Sequence, residues 1–267
     1  MSLEKIFEKA LQEGRRLVIP YLTAGFPDFP TFFSLLDIFQ EKGIEIVEVG
    51  IPFSDPVADG PVIQESSHIA LEKGVTLSRT LRALEENRGR FSLNFVIMGY
   101  YNPFLRMGLD RVVKMAKRAG VKGFIVPDLP VEEGEEWRRL LQGEGLDTIF
   151  LVAPTTSLER VKKISRYTSG FLYCVSVTGV TGPRERLPGE LRDYLISLRR
   201  VTTLPRAVGF GISRPEQIRE LRPYCEGMVV GSALIRIIQK NPSSPEKEMR
   251  EFIDSLQKAA CSQDNFP

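Results

Sequence analysis

Short runs of β-branched and aromatic residues alternate with longer helical patterns along the chain, and this alternation constrains the fold most. The runs predict eight strands, at 17–22, 44–50, 93–98, 123–126, 148–152, 171–175, 206–209 and 228–230. Between them lie segments such as TFFSLLDIFQEKG, DRVVKMAKRAG, VEEGEEWRRLLQGEG and LERVKKISRYTSG, in which apolar residues recur every three or four positions and a glycine ends the segment. Strands that alternate with crossover helices indicate a parallel sheet.

Eight such units in 267 residues match the (β/α)8 TIM barrel, an α/β fold for which about 250 residues is typical. We predict one barrel domain over residues 1–267, with extra helices at the N-terminus (2–14), after strand two (77–87) and at the C-terminus (245–258). A doubly wound open sheet is the main competitor. It is disfavoured because no G-x-G-x-x-G turn follows the first strand, which also contains Pro20. The tail after about residue 259 is expected to be disordered.

Charge and cysteine content disfavour several classes of protein. Lys and Arg outnumber Asp and Glu by only 36 to 34, so no general attraction to nucleic acid or to an anionic membrane is expected. No apolar run reaches the ~18 residues of a membrane-spanning helix, and the first residues lack the apolar core of a signal peptide. Cys174, Cys225 and Cys261 are widely spaced and odd in number, which fits neither a disulfide framework nor a zinc site. We expect a reducing cytoplasm.

The stretch VEVGIPFSDPVADGP, residues 47–61, places two carboxylates near the end of the second predicted strand. Glu48 shares a strand face with Ile44 and Ile46, and that end of a barrel strand is where active sites are built. A buried carboxylate without a partner is costly, so Glu48 indicates either an ion pair with a neighbouring Arg or Lys or an active-site acid. Both alternatives stay open from position alone. Asp59 lies in an ordinary Asp-Gly turn, but together the two carboxylates favour an acid/base pair.

Three glycine-bearing stretches follow the last three predicted strands, namely TGVTG at 178–182, GFGIS at 209–213 and VVGSALI at 229–235. Glycine lets backbone N–H groups approach an anion, and Ser232 opens a helical pattern whose N-terminus favours negative charge. We predict a phosphate site there, although each glycine taken singly is typical of a turn. The long connection VTGVTGPRERLPG indicates a lid. Arg184 and Arg186 on it either contact phosphate or are simply solvated.

Other chemistries lack their residues. His68 is the only histidine, so neither a His-based triad nor a multi-histidine metal site can be assembled, and no metal site is predicted. Lys122 precedes the fourth predicted strand, so no lysine ends a strand as a Schiff-base nucleophile would. Carboxylates remain as the catalytic groups, and His68 is expected to be a packing or surface residue.

The segment 47–61 resembles the signature of the tryptophan synthase alpha chain family. IPYLTAGFPD, MGYYNPF, VPDLPVEE, LVAPTTS, VSVTGVTG, AVGFGIS and VVGSAL resemble that family's other blocks, in the same order and over nearly the whole chain. The resemblance implies a lyase of tryptophan biosynthesis that cleaves indole-3-glycerol phosphate into indole and glyceraldehyde 3-phosphate by a retro-aldol step. It implies Glu48 as the general acid/base and Asp59 as the carboxylate that accepts the indole N–H.

The same resemblance implies roles for other positions. Tyr173 is expected beside the catalytic acid, and Thr181 on the lid is expected to meet Asp59 when the lid closes. The implied phosphate cradle consists of Gly182, Gly211, Gly231 and Ser232. The implied indole pocket consists of Tyr21, Met98, Tyr100 and Phe210, for which a core role also stays open.

A partner is implied as well. The family works with a pyridoxal-phosphate beta chain that consumes the indole, so an α2β2 hetero-tetramer is expected, with no cofactor in this chain. Pro52 and Asp55 are expected to face the partner, although Asp55 could equally cap a turn. Two positions depart from the family pattern, since Ile69 stands where Arg is usual and Arg206 enters strand seven where an apolar residue is commoner.

Two rival functions stay open at this point. Another phosphate-binding barrel, such as a sugar-phosphate isomerase, would use the same late glycine loops, but the Glu–Asp pair around strand two favours the lyase. A catalytically quiet alpha-like protein would only bind and modulate a beta-type partner. The presence of Glu48, Asp59 and Thr181 argues against that loss of activity.

Overall fold

The centre of the molecule is a parallel sheet that curls into a barrel. The structure is a computed structural model, and it describes residues 1–175, 189–209 and 211–261. Within these residues the strands are β1 (Leu17–Thr23), β2 (Ile46–Gly50), β3 (Asn94–Met98), β4 (Val121–Ile125), β5 (Asp147–Ile149), β6 (Leu151–Val152), β7 (Leu172–Val175), β8 (Arg206–Gly209) and β9 (Gly227–Val230). All neighbours pair in parallel, in the order β5-β4-β3-β2-β1-β9-β8-β7-β6.

Helices surround this sheet. In the described part of the chain they are α1 (Leu3–Gln12), α2 (Phe29–Glu41), α3 (Pro61–Glu72), α4 (Leu77–Glu86), α5 (Tyr101–Met107), α6 (Leu109–Ala119), α7 (Glu135–Gly143), α8 (Leu158–Tyr167), α9 (Gly189–Leu198), α10 (Pro215–Leu221), α11 (Ser232–Lys240) and α12 (Glu246–Ala260). The (β/α)8 barrel is confirmed, and the extra helices predicted at the N-terminus, after strand two and at the C-terminus are α1, α4 and α12.

Several boundaries differ from the prediction. The predicted fifth strand is not continuous, because Phe150 separates β5 from β6. These two short strands are the first and last in the strand order, and together they occupy one position of the barrel. β2 begins at Ile46, so Ile44 does not share the inner face with Glu48 and belongs to the outer apolar cluster instead. Lys122 lies inside β4 rather than before it, but near the start of the strand and therefore far from its C-terminal end.

Three of the four quoted helical segments end at the predicted glycine, because Gly43, Gly120 and Gly145 lie within two residues of the ends of α2, α6 and α7. α8 ends earlier than predicted, at Tyr167, and the extended Thr168 rather than Gly170 is its C-cap. Gly43, Gly120, Gly145 and Gly170 all have φ between 69° and 79°. Gly120, for example, directly follows α6 in the left-handed conformation. Residues with a Cβ rarely adopt that conformation.

The barrel interior is closed at one end by α1. Its buried face, which includes Phe7, packs into an inner apolar cluster with alternate residues of the strands. The rings of Phe7 and Phe171 lie 5.4 Å apart, and Phe7 approaches Gly227 so closely that a Cβ there would lie 2.8 Å from the ring. Because α1 fills the N-terminal end, the C-terminal ends of the strands form the accessible mouth of the barrel.

The structure describes the C-terminal helix but not the tail that follows it. α12 continues to Ala260, and the remaining tail from residue 262 lies outside the described residues, so its predicted disorder and the single domain over 1–267 stay predictions. No helix in the described ranges is long and apolar enough to cross a membrane. Cys174, Cys225 and Cys261 form no disulfide.

Candidate active site

Glu48 lies inside the barrel, near the C-terminal end of β2. Strand alternation turns Ile46 and Glu48 inward and Val47 outward, toward the helices. In the register of the sheet, Glu48 is paired with Tyr21 of β1 and Val96 of β3. Both of these neighbours belong to the inner apolar cluster, so the carboxyl group lies next to apolar side chains at the mouth of the barrel.

The Glu48 carboxyl group is buried without a compensating contact. The residue is 1% exposed, and neither carboxylate oxygen has a hydrogen-bond partner among the residues that the structure describes. Burial raises the pKa of Glu48 to about 8, and the nearby charge of Asp59 raises it further in the same direction. The ion pair considered from the sequence is not found in the described ranges, and a group of this pKa is protonated at neutral pH.

Asp59 comes from the loop between β2 and α3. It is partly buried, and the Tyr100 hydroxyl donates a hydrogen bond of 3.3 Å to its Oδ2. Burial raises the pKa of Asp59 to about 6, while the hydrogen bond from Tyr100 lowers it. Asp59 is therefore mostly ionised at neutral pH while Glu48 is protonated, which is the separation that an acid/base pair requires.

Two tyrosines complete the surroundings of Glu48. Tyr21 and Tyr173 are each 7% exposed. Burial raises the pKa of Tyr173 well above its ordinary value, with the Glu48 charge as the next cause. For Tyr21 the causes are burial and then the Asp59 charge. Both phenols stay protonated. Because the Glu48 charge raises the pKa of Tyr173, the two side chains lie close to each other, which supports the expected position of Tyr173 beside Glu48.

Two glycines provide the space that these tyrosine rings occupy. A Cβ on Gly50 would lie 2.0 Å from the Tyr21 hydroxyl oxygen, and one on Gly209 would lie 2.7 Å from that of Tyr173. Real Cβ contacts are essentially never shorter than 3.0 Å, so any side chain at Gly50 or Gly209 displaces a tyrosine ring near Glu48. Gly50 was not singled out from the sequence. It lies two positions after the inward-facing Glu48 and therefore on the same face of β2.

Three of the residues predicted to surround an aromatic substrate, Tyr21, Met98 and Tyr100, lie in the described part of the chain. Met98 is partly buried against the inner cluster, and Tyr100 is 4% exposed with its ring stacked on Phe53 at a centroid distance of 5.0 Å. Sequence reasoning missed other apolar residues that pack against the same cluster, namely Ile63, Leu151 and Val175. Period two from Tyr173 would have found Val175. Phe210 lies outside the described residues.

Only some of the residues predicted to form a phosphate cradle are described by the structure. Ser232 is the first residue of α11 and Gly231 its N-cap, so the first backbone N–H groups of this helix lack partners within the helix. Gly211 has φ of 59°. Thr181, Gly182 and the rest of the lid from 176 to 188, including Arg184 and Arg186, lie outside the described residues.

The remaining predicted residues differ in their exposure. Asp55 is exposed and accepts a hydrogen bond from the Ser54 hydroxyl, whereas Pro52 is buried and offers little surface to a partner. His68 is exposed, with its Nε2 3.3 Å from Glu72, as expected for a surface residue. Ile69 packs against the outer cluster instead of forming a salt bridge. The described residues contain no group of side chains that could hold a metal ion.

Two carboxylates of unlike pKa at the open mouth of a (β/α)8 barrel define a barrel enzyme of acid/base chemistry. Comparison with known proteins narrows the class. The family model described as tryptophan synthase alpha chain matches residues 7–263. The chain is 46% identical over 235 residues to the tryptophan synthase alpha chain of Carboxydothermus hydrogenoformans, covering 88% of each chain. It is 41% identical over 256 residues to that of a Thermoanaerobacter species, covering 95% of this chain and 97% of the relative.

Solved structures agree with these relatives. Tryptophan synthase subunit alpha of Legionella pneumophila matches with a TM-score of 0.89 at 32% identity, over 97% of this chain and 98% of that one. A tryptophan synthase structure from Mycobacterium tuberculosis matches with a TM-score of 0.89 at 33% identity, over the same shares. This chain belongs to the tryptophan synthase alpha chain family. It is a lyase, and the alpha reaction of its family cleaves indole-3-glycerol phosphate into indole and glyceraldehyde 3-phosphate.

Proposed function

We propose that this chain carries out the alpha reaction with Glu48 as general acid/base and Asp59 as the carboxylate that stabilises the indole ring. The observation that carries this assignment is the Glu48 carboxyl group, which is buried at the barrel mouth without a hydrogen-bond partner among the described residues. A buried acid that no described residue compensates costs stability, and a substrate that uses the acid would explain it.

Glu48 moves the protons of the retro-aldol step. In its protonated form it donates a proton to the indole ring carbon that carries the glycerol phosphate chain, and the ring nitrogen becomes positive. The resulting carboxylate then takes the proton of the side-chain hydroxyl next to the scissile bond. As the carbon–carbon bond breaks, its electron pair returns to the ring and the hydroxyl becomes the aldehyde of glyceraldehyde 3-phosphate. Glu48 ends protonated again, so one carboxyl group serves both transfers.

Asp59 stabilises the positive charge between these transfers. In the ionised form that its pKa of about 6 favours, it accepts a hydrogen bond from the indole N–H while that nitrogen is positive. A charge-assisted hydrogen bond in a water-poor site is stronger than one between neutral groups. Asp59 therefore acts most strongly on the intermediate, when the ring carries charge.

The phosphate of the substrate is assigned to the loops after β8 and β9, and β1 separates β9 from the strand of Glu48. Gly211, Gly231 and Ser232, with Gly182, would offer backbone N–H groups, and the N-terminus of α11 favours the negative charge. Tyr21, Met98 and Tyr100 would surround the indole ring, with Phe210 as a further member and Tyr173 beside the acid. Such a site holds the substrate at both ends, so its reacting bond lies over Glu48.

The beta chain is the proposed partner, in an α2β2 hetero-tetramer, and pyridoxal phosphate is expected in that chain. Asp55 and Val57 support this proposal, because both are exposed on the loop that also carries Asp59; Val57 is 87% exposed. An apolar side chain so exposed is a suitable contact for a partner. Pro52 remains a predicted contact, although the chain itself buries it.

The direct test is release of indole from indole-3-glycerol phosphate by the purified chain, with and without an added beta chain. We expect kcat/KM to rise with pH through about 6, as Asp59 ionises, and to fall through about 8, as Glu48 loses its proton. No indole under either condition would contradict the assignment and favour a catalytically quiet alpha-like protein. Activity that keeps rising above the upper limit would show that protonated Glu48 is not required.

A steric variant tests the position of the tyrosine beside the acid. Gly50→Ala is expected to lower the rate of indole release by about 10-fold or more, because the new methyl group overlaps the Tyr21 ring and forces that ring to move. Gly89→Ala is the matched control, since a Cβ at Gly89 meets nothing within 4 Å. Equal activities of the two variants would mean that the Tyr21 ring can move without consequence.

A further inference from the structure

We propose that Tyr100 is a positioning residue for Asp59, acting through its hydroxyl group rather than only through the contact of its ring with substrate. This inference rests on the proposed function of Asp59. The observation behind it is that one phenol oxygen joins two consecutive residues of the loop after β2 to the barrel wall.

The hydrogen-bond geometry gives the Tyr100 hydroxyl a defined direction. The backbone N–H of Ala58 donates to the phenol oxygen at 2.8 Å. Because that contact uses the oxygen as an acceptor, the single hydroxyl proton is left for Asp59 Oδ2, at 3.3 Å. The second distance is long for an O–H···O bond, as catalytic contacts often are before substrate binds. An ionised Asp59 carboxylate can only accept, so the hydroxyl donates to it while it accepts from the Ala58 N–H.

Tyr100 is held in place by a contact of its ring and by the fixed backbone around it. One face stacks on Phe53, with an angle of 26° between the rings, and Phe53 belongs to the same loop as Asp59. Tyr100 is also the N-cap of α5, and the next backbone N–H, that of Tyr101, donates to the Asp128 carboxylate at 2.9 Å. The loop is thus fastened to a residue whose own backbone is fixed at a helix terminus.

Two consequences follow for Asp59. A donor directed at one carboxylate oxygen favours the charged form, so Tyr100 opposes the effect of burial and keeps Asp59 ionised near neutral pH. The contact involves Oδ2 only, so Tyr100 leaves the other oxygen of the carboxylate to the substrate. Positioning and ionisation of Asp59 therefore depend on the same hydroxyl group.

Tyr100→Phe removes this hydroxyl and keeps the ring, its stacking on Phe53 and its surface toward substrate. We expect the pKa of Asp59 to rise by about half a unit to one unit above its value of about 6. Carbon NMR of the chain labelled at aspartate carboxyl carbons measures this directly, and Asp59→Asn identifies the resonance. This measurement needs no substrate, so it does not depend on whether the chain cleaves indole-3-glycerol phosphate.

Kinetics provide the second readout. In Tyr100→Phe the acidic limb of the pH profile should move upward by the same amount, with kcat reduced several-fold and KM changed less than about 2-fold. Tyr101→Phe is the control, since that partly buried neighbour packs against the outer cluster, and its profile should match that of the unaltered chain. An unchanged Asp59 pKa in Tyr100→Phe, or a lower kcat with an unmoved acidic limb, overturns the proposal. Absence of indole release from the unaltered chain would instead overturn the proposed function.

Discussion

Glu48→Gln is expected to reduce indole release by about 10³-fold, the loss typical of removing a general acid/base. Glutamine has nearly the same shape but can neither give its proton to the indole ring nor take one from the side-chain hydroxyl. The proposed phosphate site, at Gly231 and Ser232, lies after β9 and does not include Glu48, so the KM should change little. Indole release at saturating substrate measures the effect.

The control for Glu48→Gln is binding of a non-cleavable, phosphate-bearing analogue of the substrate. Its affinity should stay within a few-fold of that of the unaltered chain, because the amide fills the same space. Near-normal turnover in the variant would remove Glu48 from the mechanism, whatever its burial.

The same substitution should stabilise the fold. Because the pKa of Glu48 is about 8 in the folded chain and 4.5 in its ordinary environment, the folded state binds more protons than the unfolded state between these values. The free energy of unfolding therefore falls as pH rises through this window, by on the order of 3 kcal/mol at neutral pH. Glu48→Gln removes this dependence, so its gain in melting temperature should be absent near pH 4.5 and grow up to about pH 8. Such a gain indicates that stability is given up here for activity.

The parts of the site that depend on local pattern could be predicted from the sequence. Glu48 stands out because a charged residue interrupts an apolar strand, and period two alone separates its face from that of Val47. Glycine after helical periodicity similarly predicts the ends of α2 and α6. Each of these inferences needs only a few consecutive residues.

What sequence reasoning missed depends on contacts between distant residues. The Tyr100 hydroxyl reaches Asp59 over 41 positions, and only the pairing of β2 with β3 brings the two strand ends together. α5, which was not predicted, is seven residues long, and its N-terminal N–H groups depend on Asp128, 27 positions away from Tyr101. Helices this short have little stability of their own, so their existence is decided by tertiary contacts.

Arg206 is a further case, and here the sequence showed the anomaly but not its reason. At the start of β8, the end of the barrel remote from the site, its guanidinium group binds both carboxylate oxygens of Glu226, with Nε–Oε2 2.9 Å and Nη2–Oε1 2.5 Å. Its Nη1 donates to the carbonyl oxygen of Leu195 at 2.9 Å. The side chains of Arg206 and Glu226 are only 5% and 15% exposed. A strand position that is usually apolar therefore holds a buried, bidentate ion pair.

Arg206→Met is expected to lower the free energy of unfolding by about 3–5 kcal/mol, because it leaves the Glu226 carboxylate buried without its cation. Denaturant unfolding measures this, and two variants isolate the cause. Arg206→Met combined with Glu226→Leu should recover much of the loss, since a buried pair replaced by apolar residues leaves no unpaired charge. Arg219→Ala, which breaks the exposed pair with Glu216 at 3.1 Å, should cost less than about 1 kcal/mol. If Arg206→Met lowered the free energy of unfolding no more than Arg219→Ala does, the buried ion pair would not stabilise the fold more than an exposed one. The departure at Arg206 would then have no structural reason.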